Sequence, residues 1–568
     1  MEAFDADVLV VGAGPAGATT ALALATYGVR VHVVSRYNWL ADTPRAHITN
    51  QRTMEVLRDL GLEEEAYRYA TPWKLMGDSL FTTSLAGEEL VRIRAWGTGE
   101  ERRGDYLQGS PCELLDIPQP LIEPILFKNA AERGATFACN TEYLSHVQDE
   151  RGVTVQLRDR LSEREYTMRA RFLVGADGAK SKVLEDAGLA VEGQLARAGT
   201  TYAIFNADLT RYVEHRPSIL HWIVTPNAAF GEIGFGLLRA VKPWTQWIAG
   251  WGIDLPKGDP DLSDEFVLKQ IRILVGDPEL EVDIVRTSVW YVNQAYAPQY
   301  SKGRVFCAGD AVHRHTPFGG LGSNTCIQDA YNLSWKLAMV IQGQAGASLL
   351  NTYQDERAPI AKQITEHAFN GGASMGPLLM ALGVPPGSGP QALEQAVARL
   401  KEPSAEGAER RAKLRQAMDG TLNGFGRAHG IELNQRYRSS AIVSDGTPDP
   451  GFARDPVQYH QASSRPGAHL PHAWVTRGQR KISTFDLCGQ GRFTLLTGLS
   501  GMAWKATAEQ AAAALGIELV VHVIGFGQEV VDSHGDYLRI SEVEESGALL
   551  VRPDLMLAWR AANAASTQ

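Results

Sequence analysis

Residues 307–324 place one carboxylate just before a run of glycines, and this pairing suits the binding of a flat, anionic cofactor. The apolar segment 303–309 predicts a short buried strand that ends at Asp310, whose carboxylate can accept hydrogen bonds from ribityl hydroxyls. Pro317 fixes the backbone beside the flat ring of such a cofactor, and the glycines that follow let the main chain approach that ring closely. The helix predicted over 325–340 points its positive end at the ligand, which stabilises the anionic edge of a reduced flavin. The segment therefore predicts one half of a flavin site.

The other half is predicted near the start of the chain. An apolar strand over 7–11 runs directly into Gly12, Gly14 and Gly17, and a helix is predicted over 18–27. This strand, glycine turn and helix form the dinucleotide fingerprint, in which the backbone approaches a pyrophosphate and the helix N-terminus stabilises its charge. Since nearly three hundred residues separate this turn from Asp310, other structure must be inserted between them.

The contact to the cofactor's ribose is left open. The second strand, predicted over 29–34, ends in Ser35 and Arg36 where an acidic residue usually binds the ribose. Arg36 would instead suit the phosphate of a bound NADP, whereas Asp310 and its loop favour FAD.

Composition narrows the classes of protein and partner. The chain has 568 residues, which at about 150 residues per domain suggests about three domains. With 55 basic and 65 acidic side chains the formal net charge is −10, which argues against nucleic acid or an anionic membrane as a partner. No apolar run reaches the length of about 18 residues that a membrane helix needs, and the first residues lack a basic flank. These features predict a soluble cytoplasmic protein.

Metal and disulfide chemistry are not expected. The five cysteines show no paired spacing of metal-binding or redox type. His313 and His315 flank the ribityl loop, but no third ligand lies nearby in the sequence, so no metal site is predicted.

Residues 307–324, the flavin segment around Asp310, resemble a motif of the flavin-dependent aromatic hydroxylases, the family of p-hydroxybenzoate hydroxylase and phenol hydroxylase. Gly309-Asp310, six further residues and Pro317 match its pattern. Segments 37–39, 44–61, 309–315 and 483–498 resemble the phenol hydroxylase type, including its dichlorophenol and hydroxybiphenyl enzymes.

A third predicted strand, 172–176, ends in Asp177-Gly178 and looks like the family's Asp-Gly motif, which lies near flavin and nicotinamide. By itself this dipeptide is a common turn. Its position between the two flavin segments favours the functional interpretation.

The resemblance implies an α/β fold in which a discontinuous FAD-binding Rossmann-like domain carries an inserted antiparallel-sheet substrate domain. Strands are predicted in the insert at 222–225 and 233–239. A C-terminal domain is predicted from strands at 483–487, 493–497 and 519–524, a helix over 502–515 and a hairpin over 548–559; it resembles a thioredoxin-like domain but lacks Cys-x-x-Cys. The expected boundaries are 1–70, 110–190 and 293–370 for FAD binding, 71–109 and 191–292 for substrate, 371–447 for a helical linker region, and 448–568 for the C-terminal domain.

The activity that the resemblance implies is ortho-hydroxylation of a phenol. NADH or NADPH reduces FAD, oxygen adds to give a flavin C4a-hydroperoxide, and the phenolate ring carbon attacks its distal oxygen. The phenol could be chlorinated or a natural-product intermediate such as a hydroxypyridine. Halogenation and Baeyer–Villiger chemistry are disfavoured because the Trp-x-Trp-x-Ile-Pro signature and a second GxGxxG are missing. A flavin-bearing interaction protein also stays open as an alternative function. The chain is expected to form a homo-oligomer, either a dimer or a tetramer.

Catalytic residues follow from family positions. His47 lies two residues after Arg45, where related phenol hydroxylases have an acidic general base, and a histidine that titrates near neutrality can accept a phenol proton. Asp116 could support His47 or cap the following helix, and Arg239 and Trp222 are expected to line the cavity or sense flavin movement. Substrate contacts are expected from His47, Trp222 and Pro317. Cofactor contacts are expected from Gly12, Gly14, Pro15, Ala16, Gly17, Ser35, Arg36, Arg45, Gln119, Asp177, Asp310, Pro317, Gly320, Gly322, Ser323 and Asn324.

Overall fold

The computed structural model describes residues 4–225, 235–253, 258–385, 388 and 390–565. The strands are β1 (Ala6–Val11), β2 (Val31–Val34), β3 (Ile48–Thr49), β4 (Ser79–Thr82), β5 (Glu89–Ile93), β6 (Leu115–Asp116), β7 (Thr136–Ala138), β8 (Thr141–Gln148), β9 (Val153–Asp159), β10 (Glu165–Gly175), β11 (Glu192–Asn206), β12 (Leu220–Ile223), β13 (Gly236–Lys242), β14 (Gln246–Ile253), β15 (Asp283–Tyr296), β16 (Ser301–Lys302), β17 (Val305–Cys307), β18 (His313–Arg314), β19 (Trp474–Arg477), β20 (Arg480–Ser483), β21 (Phe493–Gly498), β22 (Leu519–Ile524), β23 (Val530–Val531), β24 (Ala548–Val551) and β25 (Leu557–Ala561).

The α-helices are α1 (Pro15–Thr26), α2 (Gln51–Asp59), α3 (Glu63–Tyr69), α4 (Trp73–Met76), α5 (Glu100–Gly109), α6 (Gln119–Glu132), α7 (Lys182–Asp186), α8 (Thr210–Val213), α9 (Asp264–Val275), α10 (Gly322–Ile341), α11 (Asn351–Ala373), α12 (Met375–Leu382), α13 (Pro390–Lys401), α14 (Ala405–Thr421), α15 (His429–Leu433), α16 (Ala503–Leu515) and α17 (Asp536–Ile540). Among the described residues, none of these helices has the length and apolar character needed to cross a bilayer.

The first sheet brings the distant glycine turns together. Its strand order is β16-β17-β10-β1-β2-β7, and the β8–β9 hairpin joins β10 through β9. Strands β1 and β17 and the last residues of β10 are apolar, and the three strands run parallel, as expected for strands buried on both faces. Val11 pairs with Gly175, and Gly175 pairs with Cys307, so the three strands end side by side. The loops at Gly12 and Asp310 therefore leave the same edge of the sheet.

The second sheet has the strand order β18-β15-β11-β14-β13-β12-β4-β5 and is mainly antiparallel. Leu220 on β12 pairs with Arg239 on β13. Because directly paired residues share a face and side chains alternate along a strand, Trp222 and Arg239 lie on one face. The strand predicted over 233–239 corresponds to β13, which begins at Gly236 and continues past Arg239 to Lys242. The first two residues of the predicted strand, 233 and 234, lie outside the described ranges.

The short strands β3 and β6 pair with each other between the two larger sheets, with Ile48 opposite Asp116. This pairing places His47, which immediately precedes β3, next to Asp116.

The C-terminal sheet has the order β20-β19-β23-β22-β21-β24-β25. The predicted strands 493–497 and 519–524, the helix after Met502 and the terminal hairpin are present. The predicted strand 483–487 is wrong: Thr484–Leu487 is a 3₁₀-helix. The 3₁₀-helix forms because of a capping box, in which the Ser483 hydroxyl accepts from a backbone N–H and the Asp486 carboxylate accepts from the Ser483 N–H.

Candidate active site

The first glycine turn is too tight to hold side chains except at Gly14. Gly12 has φ +106°, and a Cβ there would lie 2.2 Å from the carbonyl oxygen of Ala176. A Cβ on Gly17 would lie 1.9 Å from the carbonyl oxygen of Gly12. At Gly14 the nearest atom to such a Cβ is Glu123 Oε1, at 3.8 Å. The turn is thus closed on its sheet side and open at Gly14, as a pyrophosphate cradle requires.

Two helix N-termini lie at this edge without side-chain caps. Helix α1 begins at Pro15 after Gly14, and α10 begins at Gly322 after Leu321, and neither has an acidic residue in its first turn. The first N–H groups of an α-helix have no partner within the helix, and with the helix dipole they attract anions. This arrangement fits both anionic parts of FAD, its pyrophosphate and its ring edge. Ser323 and Asn324 belong to the first turn of α10.

The two flavin segments are in contact around Gly309. A Cβ on Gly309, which has φ +67°, would lie 3.0 Å from Ala16 Cβ and 3.0 Å from Cys326 Sγ. The next residue, Asp310, is exposed, and Cys326 Sγ lies 3.6 Å from its Oδ1. The structure therefore brings Asp310 to the fingerprint helix, as the sequence predicted.

Asp177 reaches the same edge, but its carboxylate is bound by the chain itself. It accepts hydrogen bonds from the Ser181 hydroxyl and from the backbone N–H groups of Lys182 and Val183, at the start of α7. Arg314 Nε donates to the Asp310 carbonyl oxygen at 3.1 Å, and its guanidinium is close enough for Asp310 and Asp177 both to raise its pKa, although burial lowers that pKa overall. Sequence reasoning missed Arg314, which carries no motif of its own.

The side chains predicted to contact the ribose and phosphates of the cofactor are those of Ser35, Arg36 and Arg45. Ser35 Oγ accepts from the Tyr37 N–H at 3.3 Å. The Arg36 guanidinium lies 5.0 Å from the centre of the Tyr37 ring and donates to its hydroxyl at 2.9 Å. Ser35 is buried and follows Val34, whose carbonyl oxygen accepts from the Gly12 N–H at 2.8 Å, whereas Arg36 and Arg45 are exposed.

Gln119 lies near the turn through Glu123. Its Nε2 donates to Glu123 Oε1 at 2.6 Å, and the Ala41 N–H donates to Oε2 at 2.8 Å. Burial raises the pKa of Glu123. Sequence reasoning missed this carboxyl group, although its spacing of four residues from Gln119 on a predicted helix was a usable signal.

The three predicted catalytic residues form one buried cluster. Asp116 Oδ1 lies 2.5 Å from the Arg239 guanidinium and 3.7 Å from His47 Nδ1. All three side chains are at least nine-tenths buried. Helix α6 has Pro118 at its N-cap without a side-chain cap, so Asp116 does not cap it. Of the two roles left open for Asp116, the structure shows the contact with His47.

Hydrogen bonding determines the tautomer of His47. Its Nε2 lies 2.8 Å from the Pro44 carbonyl oxygen, which can only accept, so Nε2 carries a hydrogen. In the neutral ring, Nδ1 then has a lone pair directed towards Asp116, and it has no hydrogen-bond partner in the described part of the chain. An ionised Asp116 beside this lone pair favours the uptake of a proton between the two groups.

The pKa of His47 differs from the expectation of titration near neutrality, which is wrong. Burial lowers the pKa of His47 well below its ordinary 6.5, and the Arg239 charge lowers it further. Burial raises the pKa of Asp116, while Arg239 and a bond from Thr71 counteract that rise. The 2.5 Å contact pairs Asp116 with Arg239, and burial favours the neutral form of the His47 imidazole beside them.

Asn324 connects the flavin-facing loop to the strand that follows His47. Its Nδ2 donates to the carbonyl oxygens of Ile48 and Gly320, at 2.7 and 2.6 Å, and its Oδ1 accepts from the Asn50 N–H at 2.9 Å. A Cβ on Gly320 would lie 2.7 Å from Ile48 Cβ. The loop and the strand therefore move as one unit, and Asn324 has no side-chain donor left for a cofactor.

Trp222 lies on the same sheet face as Arg239, and its ring packs against a second aromatic ring, that of Phe318. Trp222 is buried and donates from Nε1 to Ser79 Oγ at 3.0 Å. Its ring is nearly parallel to that of Phe318, with centroids 6.1 Å apart and an interplanar angle of 7°. Phe318 follows Pro317, which is exposed. Sequence reasoning named Trp222 and Pro317 but missed Phe318.

Comparisons with known proteins agree with this architecture. An FAD binding domain family matches residues 5–368, and the aromatic-ring hydroxylase C-terminal family matches residues 463–568. The chain is 52% identical to 2,4-dichlorophenol 6-monooxygenase of Delftia acidovorans, over 98% of this chain and 95% of that protein. It is 47% identical to phenol 2-monooxygenase of Pseudomonas sp. (strain EST1001), over 98% and 90%.

Among solved structures, the flavin-dependent monooxygenase PieE in complex with FAD and substrate is similar, with a TM-score of 0.95 and 44% identity. The match covers 99% of this chain and 97% of PieE. Both family models and the nearly full-length identities support one conclusion: this chain belongs to the flavin-dependent aromatic hydroxylases of the phenol hydroxylase type, with FAD as its cofactor.

Proposed function

We propose that this enzyme hydroxylates a phenol ortho to its hydroxyl group, using FAD, O2 and NADH or NADPH. The observation that carries the proposal is the buried cluster of His47, Asp116 and Arg239, in which His47 directly precedes the strand that Asn324 joins to the flavin-facing loop. A simple phenol is favoured over a larger natural-product intermediate, because the relatives at 47% and 52% identity are named for phenols.

The cluster can ionise a bound phenol without changing the net charge of the site. Phenols have a pKa near 10, so holding the phenolate at pH 7 costs about 4 kcal/mol, at 1.36 kcal/mol per unit. Before transfer, Asp116 and Arg239 cancel each other's charge and His47 is neutral. After transfer, the proton lies between His47 Nδ1 and Asp116, and the phenolate replaces the carboxylate as the counter-ion of Arg239. A buried site favours this exchange because no uncompensated charge appears in it.

The residues that would hold FAD follow from the geometry above. Gly12 to Gly17 and the start of α1 would bind the pyrophosphate, Asp310 the ribityl hydroxyls, and residues 320–324 with Pro317 the ring. FAD supplies the activated oxygen that is transferred to the substrate. The chain's own part is to orient the phenol, hold its proton and exclude water from the transfer. Ser35, Arg36, Arg45, Gln119 and Asp177 are proposed as contributors to the FAD-binding region.

We further propose the domain boundaries expected from the sequence, a thioredoxin-like C-terminal domain, a homodimer or homotetramer, and a cytoplasmic location. The parallel pair β21–β22 and the antiparallel pair β21–β24 in the C-terminal sheet support the thioredoxin-like assignment. Cys488 is buried, so a structural role is favoured over disulfide exchange.

The test is turnover by the purified FAD-loaded enzyme against a panel of phenols and hydroxypyridines, with each nicotinamide cofactor. We expect NADH or NADPH oxidation to accelerate on addition of a phenol and a catechol to form. Stimulation without hydroxylated product, or no stimulation by any member of the panel, would contradict the proposal.

A further inference from the structure

Phe425 is carried by a single turn of π-helix, Leu422–Gly426, and packs against aromatic residues from three other segments. Its ring centroid lies 6.0 Å from that of Trp222, 6.1 Å from that of Phe318 and 5.9 Å from that of Trp96. All three contacts are edge-on, with interplanar angles of 78°, 83° and 67°. The Phe425 ring therefore contacts the second sheet through Trp222, the loop after Pro317 through Phe318, and the segment that carries Trp96.

The turn that carries Phe425 has a glycine on each side of the ring, and both glycines lie in close contact with neighbouring segments. A Cβ on Gly424 would lie 2.7 Å from Ser374 Oγ, and a Cβ on Gly426 would lie 3.0 Å from the carbonyl oxygen of Arg94. The Trp96 N–H donates to the Gly426 carbonyl oxygen at 3.2 Å. The position of Phe425 is thus set by glycine contacts on both sides of it.

Two unusual backbone conformations meet at this ring. Single turns of π-helix are rare and occur frequently at functional sites. Trp96 has φ +54°, a left-handed conformation that a bulky side chain rarely adopts, and such strain persists where the surroundings enforce it. Ordinary core packing requires neither feature, so their coincidence at one ring indicates a specific use for that ring.

The ring is also close to the proposed chemistry. Trp222 lies on the same face of the second sheet as Arg239, and Phe318 directly follows Pro317 in the flavin-facing loop. Phe425 contacts both rings, so it borders the aromatic side of the site that these two residues form. Its surface is apolar, which suits apolar ring substituents such as halogen or alkyl groups better than charged ones.

We propose that Phe425 is a specificity-determining residue that limits the size of the ring substituent and restricts the substrate to phenols with one ring. The inference rests on the proposed phenol hydroxylase function and adds to it the size and polarity of the substrate.

The test compares phenol with 2-phenylphenol in the FAD-loaded wild type and in Phe425→Ala and Phe425→Leu. A hydrophobic pocket discriminates by about 10-fold or more per methylene-sized step, so Phe425→Ala should raise the kcat/KM ratio of 2-phenylphenol to phenol by about 10- to 100-fold. Phe425→Leu should raise it by about 3- to 10-fold, on the same basis. Dissociation constants from the flavin absorbance change on phenol binding should shift in the same direction without turnover.

Phe205→Leu is the matched control. Phe205 is fully buried in the same sheet, and its neighbour Ile204 is connected through Ile248 to the face of Arg239, so Phe205 points to the opposite face. Its variant should keep the wild-type ratio of the two phenols. Unchanged ratios in both Phe425 variants, or an equal change in Phe205→Leu, would overturn the inference while leaving the proposed function intact. A wild type that hydroxylates no phenol would overturn both.

Discussion

Replacing Asp116 by asparagine removes the proposed proton acceptor while keeping the shape of the buried cluster. The asparagine oxygen can still accept from Arg239, and its NH2 group can donate to His47 Nδ1. What changes is charge: the wild-type cluster is neutral at rest, whereas the variant carries the unopposed Arg239 cation. Neutral phenol can then no longer pass its proton to the cluster, so the variant must bind phenolate that is already ionised in solution.

The size of the effect follows from the fraction of phenolate. At pH 7 about one phenol in a thousand is ionised, because its pKa is near 10. The extra positive charge attracts phenolate by about 1 kcal/mol at about 4 Å in a water-like dielectric, which recovers less than tenfold. We therefore expect kcat/KM for phenol to fall about 100- to 1000-fold at pH 7.

The pH profile tests the reasoning more sharply than the loss itself. In Asp116→Asn, kcat/KM for phenol should rise about tenfold per pH unit from pH 6 to 9, as the phenolate fraction does, whereas the wild type should be nearly flat. Catechol formation is measured across this range, with FAD content checked by absorbance. With 4-nitrophenol, a more acidic phenol, the loss at pH 7 should be much smaller.

Asp59→Asn serves as the matched control for Asp116→Asn. Asp59 is a buried carboxyl whose pKa burial raises to about 6, and it accepts from the Tyr331 hydroxyl away from the cluster. Its variant should keep the flat wild-type profile. A flat profile in Asp116→Asn, or equal losses for phenol and 4-nitrophenol, would refute the assignment of Asp116 as part of the proton acceptor.

Three further predictions concern the charge of Arg239, the flavin-facing loop bonded by Asn324, and the contribution of Glu432 to the stability of the fold. Arg239→Met should lower kcat/KM for phenol by at least about fivefold with no rescue at high pH, since a cation about 4 Å from phenolate contributes about 1 kcal/mol even in a water-like dielectric; the same pH series measures it. Asn324→Ala should uncouple the reaction, with catechol per NAD(P)H at least about halved and H2O2 formed instead, because a misplaced ring loses the aligned geometry that transfer needs. Burial raises the pKa of Glu432 from 4.5 to about 8, so the folded state loses stability relative to the unfolded state as pH rises between these values. Glu432→Gln should accordingly match the wild type at pH 4 and be about 2–4 kcal/mol more stable at pH 8 by denaturant unfolding.

Much of the cofactor region could be predicted because its signals are local. The apolar run 6–11 with its glycine turn, and the strand before Asp310, each form within a few residues of sequence. Helix α2 likewise begins at Gln51 with a local signal, since the Asn50 side chain at its N-cap accepts from the Thr53 N–H. Parallel pairing of apolar strands then brings the two turns to one edge, which follows from general rules of sheet topology.

The error at residues 483–487 shows how a short polar signal overrides β-propensity. Thr484, Phe485 and Leu487 favour a strand by composition. Ser483 and Asp486 satisfy each other's backbone N–H groups, and this capping box starts a helical turn instead. The Ser-x-x-Asp spacing is visible in the sequence, so the capping box and its helical turn are predictable from it.

The electrostatics of the cluster could not be predicted from sequence. His47, Asp116 and Arg239 come from three elements, and their pairing depends on strand register over more than a hundred residues. Burial, which no local pattern reports, then lowers the pKa of His47 away from neutrality. The proposed chemistry therefore rests on the pair of His47 and Asp116 with Arg239 as the compensating cation, instead of on a single near-neutral histidine.

The C-terminal domain, which lacks a redox pair, contacts the catalytic strand through α2. Helix α2 starts four residues after His47, and Arg52 in its first turn donates to the Asp554 carbonyl oxygen at 2.7 Å. Glu55 on the same helix pairs with His469 at 3.1 Å, and both groups are buried. Breaking these buried hydrogen bonds would leave polar groups without partners inside the protein, which is unfavourable. The C-terminal domain therefore cannot shift without straining α2, and through it the strand that positions His47 against Asp116.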